Sequence, residues 1–159
     1  MAIMNIKAEI SASDSLENVI MAIRELFPNA IIPNKQDKLE FPILEKKENI
    51  EIYDIDYKYF FERIHEIRIA DTALDCMSQN IENNSTSFKV SRQAALAGKI
   101  SFVLENDNPL GGVFEIEIKS ENITAWIEEV TWHRGREEVP REIDDELKMR
   151  NDGVPQEWF

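Results

Sequence analysis

Two histidines and a single cysteine are the residues best suited to acid–base or nucleophilic chemistry, and their spacing assembles no catalytic pair. His65 stands beside Glu66, between the apolar positions Ile64 and Ile67, which reads as a side chain satisfied at the edge of a buried stripe. His133 has no second ligand at metal-binding spacing. Cys76 lies next to Met77 inside a helical pattern with no base nearby, so a buried structural thiol is expected. Asp144, Asp145 and Glu146 lack the glycine-punctuated loop of a calcium site and read as a solvated charge run. Pro109-Leu110-Gly111-Gly112 is too short for a phosphate loop and lacks the Lys-Ser or Lys-Thr that would follow one, so it reads as a turn. The expectation is a protein that is not an enzyme, with no cofactor and no metal.

The remaining chemistry is electrostatic. From Ser85 to Leu104 the chain carries Lys89, Arg92 and Lys99 and no acid, within a sequence of formal charge −13. Exposed charges separated by more than about 8–10 Å are screened, so such a window can present a local cationic surface. Lys89 alternates with Phe88 and Val90 and points away from the face those two bury. Arg92 and Gln93 open a short helical turn, Lys99 follows it, and Ser85, Thr86, Ser87 and Ser91 add neutral donors. Cations at strand ends beside free amides suit phosphate oxygens. Three bases on a sheet edge equally discourage strand pairing between molecules, or pair with acids folded against them.

A chain of 159 residues makes one domain with room for a tail, and 43% hydrophobic content is that of a globular protein. No apolar run approaches the ~20 residues that cross a bilayer. The N-terminus has no secretory pattern, and one cysteine fits a reducing compartment. A cytoplasmic protein with no membrane association is expected. Residues 1–132 read as an α+β domain. Residues 133–159 read as an acidic tail, helical in part or mobile.

The cations must be positioned by a sheet. Ile3 to Ser11 alternates, with Ile6, Ala8 and Ile10 on one face. The stretch Ser13-Asp14-Ser15 offers a Ser or Asp to cap a helix with Glu17 in its first turn and Leu16, Val19, Ile20, Ile23 and Phe27 on one stripe, stopped by Pro28 and Asn29. Short strands are expected around Ile50 and Ile52 and at Leu39–Leu44. A long helix is expected from Tyr57 to Glu82 on the spacing of Phe60, Ile64, Ile67, Leu74, Met77 and Ile81, ended by Asn83 and Asn84. Strands follow at Phe88–Val90, Lys99–Leu104 and Val113–Ile118. The last two flank a hairpin through Pro109 and Gly111. A final helix over Asn122–Glu129 is anchored by Trp126. The order β-α-β-β-α-β-β-β-α gives a single mixed or antiparallel sheet with two main helices on one face.

One stretch of motifs carries a resemblance. It runs through Arg68-Ile69-Ala70-Asp71-Thr72-Ala73-Leu74, the turn Asn83-Asn84, Phe88, Arg92-Gln93-Ala94-Ala95, Gly98-Lys99 and Pro109-Leu110-Gly111, after an N-terminal unit ending Leu26-Phe27-Pro28. Over residues 3–127 the chain resembles an archaeal family described as predicted RNA-binding or exosome-associated proteins. It departs from that pattern at Leu74 (Arg in the family), at Asn83 (Gly) and in the acidic tail. The resemblance implies a fold similar to the 5S-rRNA-binding large-subunit ribosomal protein. It also implies a non-catalytic RNA-binding or RNA-processing accessory role, with Lys89, Arg92, Gln93, Lys99 and Arg68 on RNA. Arg68 and Asp71, one turn apart, suit a structural ion pair as well. The alternative is a protein-interaction module that uses the acidic surface and the tail, whose Trp158 and Phe159 suit a partner contact, without nucleic acid. A homodimer is compatible with both.

Overall fold

The computed structural model describes residues 2–11, 14–32, 48–104, 107 and 109–143. Strand β1 (Ala2–Ile10) follows the alternation of its sequence, burying Met4, Ile6, Ala8 and Ile10 and exposing Ile3, Lys7 and Glu9. Helix α1 (Leu16–Leu26) starts at Ser15, whose hydroxyl accepts the Asn18 N–H at 3.3 Å, and buries Val19, Ala22, Ile23 and Leu26. Strand β2 (Glu48–Ile52) covers the expected Ile50 and Ile52. The strand expected at Leu39–Leu44 lies outside the described residues.

The long helix expected over Tyr57–Glu82 is two helices, α2 (Lys58–Glu66) and α3 (Ala70–Ser78). Between them Arg68 adopts a left-handed conformation with φ of 60°. The N–H of Ile69 reaches back to Ile64 O at 3.1 Å and that of Arg68 to His65 O at 3.2 Å, the paired bonds of a Schellman stop. No glycine or proline marks this break. The apolar spacing continues through it, because both helices present a buried face to the same sheet.

Strand β3 (Ser85–Ser91) runs into the short helix α4 (Arg92–Leu96), where Ser91 Oγ accepts the Ala94 N–H at 3.2 Å. Then come β4 (Phe102–Val103), β5 (Val113–Ser120), α5 (Ile123–Val130) and a 3₁₀ turn at Arg134–Glu137. The strand expected from Lys99 contracts to two residues. The five-stranded sheet is antiparallel throughout, in the order β2-β1-β5-β3-β4. Strands β4 and β5 are therefore not a hairpin. They flank β3 on either side, and the Pro109–Gly112 turn carries the chain from one side of β3 to the other.

Inward residues of all the longer strands and the buried stripes of the helices form one core. Phe60 stacks on Phe27 at 5.2 Å and faces Phe88 of β3 at 6.3 Å, which ties α1, α2 and the sheet together. Trp126 of α5 meets Tyr57 and Phe61 edge-on, each at 5.5 Å. A buried aromatic of this kind contributes about 2–3 kcal/mol. The opposite face of the sheet is uncovered over β1 and β5, and the end of α3 borders it at β3, where Cys76, Gln79 and Asn80 line a hollow with Ser87, Lys89 and Glu115.

Candidate binding surface

The uncovered face is built from the outward half of each strand's alternation. It presents Asn49 and Glu51 from β2, Ile3, Asn5, Lys7 and Glu9 from β1, Val113, Glu115, Glu117 and Lys119 from β5, and Ser85, Ser87, Lys89 and Ser91 from β3. Register places Glu51 opposite Lys7, Lys7 opposite Glu115, and Glu115 opposite Lys89. One row of alternating sign thus crosses four strands at ~4.8 Å intervals. Lys7 lies 4.0 Å from Glu51, and Lys119 lies 3.4 Å from Glu117. Pairs this exposed contribute little to stability. What they fix is a charge pattern.

Arg92, expected as one of the phosphate contacts, is buried (6% exposed). Its Nε donates to Val113 O at 2.8 Å, Nη2 donates to Glu9 O, and Nη1 lies 3.6 Å from Asp14 Oδ2. The guanidinium sits over the Phe114 ring at 5.6 Å. Burial lowers its pKa, partly offset by the charges of Asp14 and Glu9. These contacts hold together β1, β5 and the Gly111–Gly112 turn, because the protein supplies what solvent or phosphate would otherwise supply. Lys89 is half-buried on the uncovered face opposite Glu115. With Lys7 and Arg92 it lines a concavity of about 520 Å³ that Glu9, Asp14 and Glu115 also line.

The other expected contacts lie elsewhere. Gln93 is exposed in an adjoining hollow with Asn18, Leu96 and Leu110. Lys99 is exposed just past α4, beside Gly98, whose carbonyl accepts from Arg63 Nη2 at 3.4 Å. Arg68 is exposed at the α2–α3 turn, in the helical layer. Lys89 and Arg92 share one hollow. Arg92 also lines the adjoining hollow with Gln93, whereas Lys99 and Arg68 line neither.

The titratable groups that chemistry could use are engaged. His65 Nε2 lies 2.9 Å from Val130 O. His133 accepts the Gly135 N–H on Nδ1 at 3.2 Å, so its Nε2 carries the proton and donates to Asp71 Oδ1 at 3.0 Å. Burial, then the charge of Asp75, pushes the Cys76 thiol up to about 12. Asp71 does not pair with Arg68, which precedes α3 in a turn of opposite hand. It binds Arg136, and one helical turn on Asp75 binds Arg141 at 2.6 Å. Through these bonds residues 133–143, expected as the start of a tail, are fixed against α3. The acids of 144–159, with Trp158 and Phe159, lie outside the described residues. Among the described residues no three His, Cys, Asp or Glu converge on a metal position, and no helix is long and apolar enough to cross a membrane.

Comparison with known proteins adds a lineage. No family model matches the chain. A UPF0201 protein of Sulfurisphaera tokodaii is 30% identical over 127 residues, which cover 79% of this chain and 84% of that one. The chain belongs to the UPF0201 family. UPF0201 protein SSO1042 of Saccharolobus solfataricus is 28% identical over 130 residues. The crystal structure of the UPF0201 protein from Methanococcus jannaschii aligns with a TM-score of 0.69 at 22% identity, over 84% of this chain and 96% of that one. A DUF54 protein from Methanothermobacter thermautotrophicus, Mth689, aligns at 0.53 with 16% identity. The solved structures share the UPF0201 fold with this chain, which supports the archaeal family resemblance read from its motifs.

Two features of the UPF0201 chain escape a reading of its sequence. The alternating row depends on strand register, which joins residues from four distant segments. The attachment of 133–143 to α3 has a faint signal: Asp71 and Asp75 repeat at helical spacing, and Arg136 and Arg141 interrupt an acidic stretch.

Proposed function

We propose that this protein is a non-catalytic protein-interaction module that docks through the uncovered face of its sheet. The observation that carries this is the row Glu51–Lys7–Glu115–Lys89, in which each charge neighbours its opposite. A phosphate backbone is uniformly negative and gains from uniformly positive surfaces. A mixed row gains most from a protein surface carrying the complementary alternation, since patterned charge selects partner and register more than it adds affinity. The engaged histidines and the raised thiol support a binding role over a catalytic one.

RNA, with a role in RNA processing or beside the exosome, is the second ligand class. One observation favours it: Lys7, Lys89 and Arg92 line a single concavity in an otherwise acidic chain. The family-level expectation of a fold like the 5S-rRNA-binding ribosomal protein points the same way, although a shared fold does not carry a ligand with it.

A photo-crosslinking residue in place of Glu117, on the uncovered face, compared with one in place of Glu62 on α2, separates the two. The docking role predicts protein adducts from the first position, insensitive to nuclease, and none from the second. Nuclease-sensitive adducts alone would replace protein with RNA. No adduct from position 117 would remove the face as a binding surface.

A further inference from the structure

The alternating row has a symmetry that names a partner. Four charges of sequence − + − + read + − + − when reversed. A twofold axis laid along the strands, midway between β1 and β5, performs that reversal for two sheets facing each other. Glu51 then faces the partner's Lys89, and Lys7 faces the partner's Glu115. Resting on the docking role proposed above, we infer that the uncovered face pairs with the same face of a second copy of this chain, as an isologous dimer.

The neighbouring rows agree. In the row below, Asn5 is opposite Glu117 within the chain, so under the same axis it faces the partner's Glu117, an amide against a carboxylate. At the far end Ile3, 47% exposed, faces the stem of the partner's Lys119. No like charges meet. Packed sheets lie within about 30° of alignment, so the central rows stay in register while the corners drift.

The wider charge distribution selects this face too. Two chains of −13 repel, yet the strand residues of this face carry Lys7, Lys89 and Lys119 against Glu9, Glu51, Glu115 and Glu117. The strand residues of the face thus sum to about −1 against −13 for the whole chain, and exposed charges further off than ~8 Å are screened at physiological salt. Four strands at ~4.8 Å and a nine-residue β1 give a projected area of roughly 500 Å². Counted over both copies that is about 1,000 Å², the low end of specific interfaces and the size of weak, transient ones.

The test is a charge-swap complementation followed by sedimentation velocity on the full chain, at ~100 µM and ~0.15 M salt. The wild type sediments as a dimer. Lys7→Glu alone and Glu115→Lys alone each place like charges in contact, so each sediments as a monomer, with dimerisation weakened at least tenfold. Their equimolar mixture recovers a dimer of one of each, because one contact is then native and the other has both signs exchanged. The pair Glu51→Lys and Lys89→Glu repeats the cycle nearer the sheet edges, should the central variants fail to fold by circular dichroism. A monomeric wild type, unchanged single variants, or a mixture that stays monomeric overturns self-pairing. Should the wild type be monomeric while position 117 still crosslinks to another protein, the docking role stands and only its self-pairing falls.

Discussion

Asp71 of α3 accepts two hydrogen bonds from Arg136, sixty-five positions later in the chain, at 3.2 Å from Nε and 3.1 Å from Nη2. The arginine side chain is 4% exposed and the aspartate 42%, so the acid closes a pocket that the cation has entered. Arg136 also donates to Glu128 O at 3.0 Å and to Thr131 Oγ1 at 2.9 Å. Its charge is balanced by one carboxylate whose ionisation the fold must maintain.

Asp71→Asn leaves that guanidinium buried without a counter-charge, and is expected to lower stability at pH 7 by about 2 kcal/mol. Its pH dependence is the sharper readout. Burial alone would raise the Asp71 carboxyl, but hydrogen bonds from His133 and Arg136, with their charges, hold it below the ordinary carboxylate range. A carboxyl lowered by folding stabilises fully above its unfolded value of ~4, and that contribution drains away as pH falls through the lower folded value. Denaturant titrations from pH 7 down to ~2.5 should show an acid limb in the wild type that is shallower in Asp71→Asn.

Truncation after Trp132 removes Arg136 and Arg141 together. Asp75, 9% exposed at its side chain, then loses the arginine bonded to it at 2.6 Å. A buried charge stripped of its partner costs about 3–5 kcal/mol. The truncated protein is expected to melt well below the full chain.

Gly112 turns with φ of 83°, and a Cβ there would come within 3.1 Å of Arg92 Cζ. Gly112→Ala therefore combines backbone strain with a collision at a buried cation, for an expected loss of about 2–3 kcal/mol by chemical denaturation. Arg92→Lys keeps the charge but loses the fork that joins Val113 O and Glu9 O. It should cost about 2 kcal/mol as well.

Arg68 stands in a left-handed stop where glycine is free of strain. Arg68→Gly is expected to be neutral or to stabilise by up to about 1 kcal/mol in a thermal melt. An RNA role for Arg68 predicts instead a loss of RNA affinity in that variant, measured by anisotropy of a labelled oligonucleotide.

Much of this fold is legible in the sequence, where local rules coincide with tertiary demands. The alternation of β1 and β5, the Ser15 cap and the Pro28 stop are decided within a few residues of each other. Legibility fails where the decision is remote. Arg68 breaks a helix because α2 and α3 must both reach the sheet, and nothing in the Ile67-Arg68-Ile69 triplet beyond two β-branched neighbours announces it. Strand β4 pairs with β3 instead of β5 because the Pro109–Gly112 turn passes to the far side of β3. The candidate site fares worse. An acid-free window says nothing of acids brought in from elsewhere, and Asp14 and Glu115 arrive from α1's approach and from β5 to meet Arg92 and Lys89.

Carboxylate footprinting across a concentration series asks most directly whether the uncovered face of the sheet pairs with a second copy. Glu115 and Glu117 lie on the uncovered face, while Glu62 and Glu129 are exposed on the helical side. Labelling of the first two should fall as the protein is raised from about 1 to about 100 µM, a span that brackets micromolar association, while the helical pair stays constant. Constant labelling at all four, or protection confined to Glu62 and Glu129, would contradict self-pairing through the sheet.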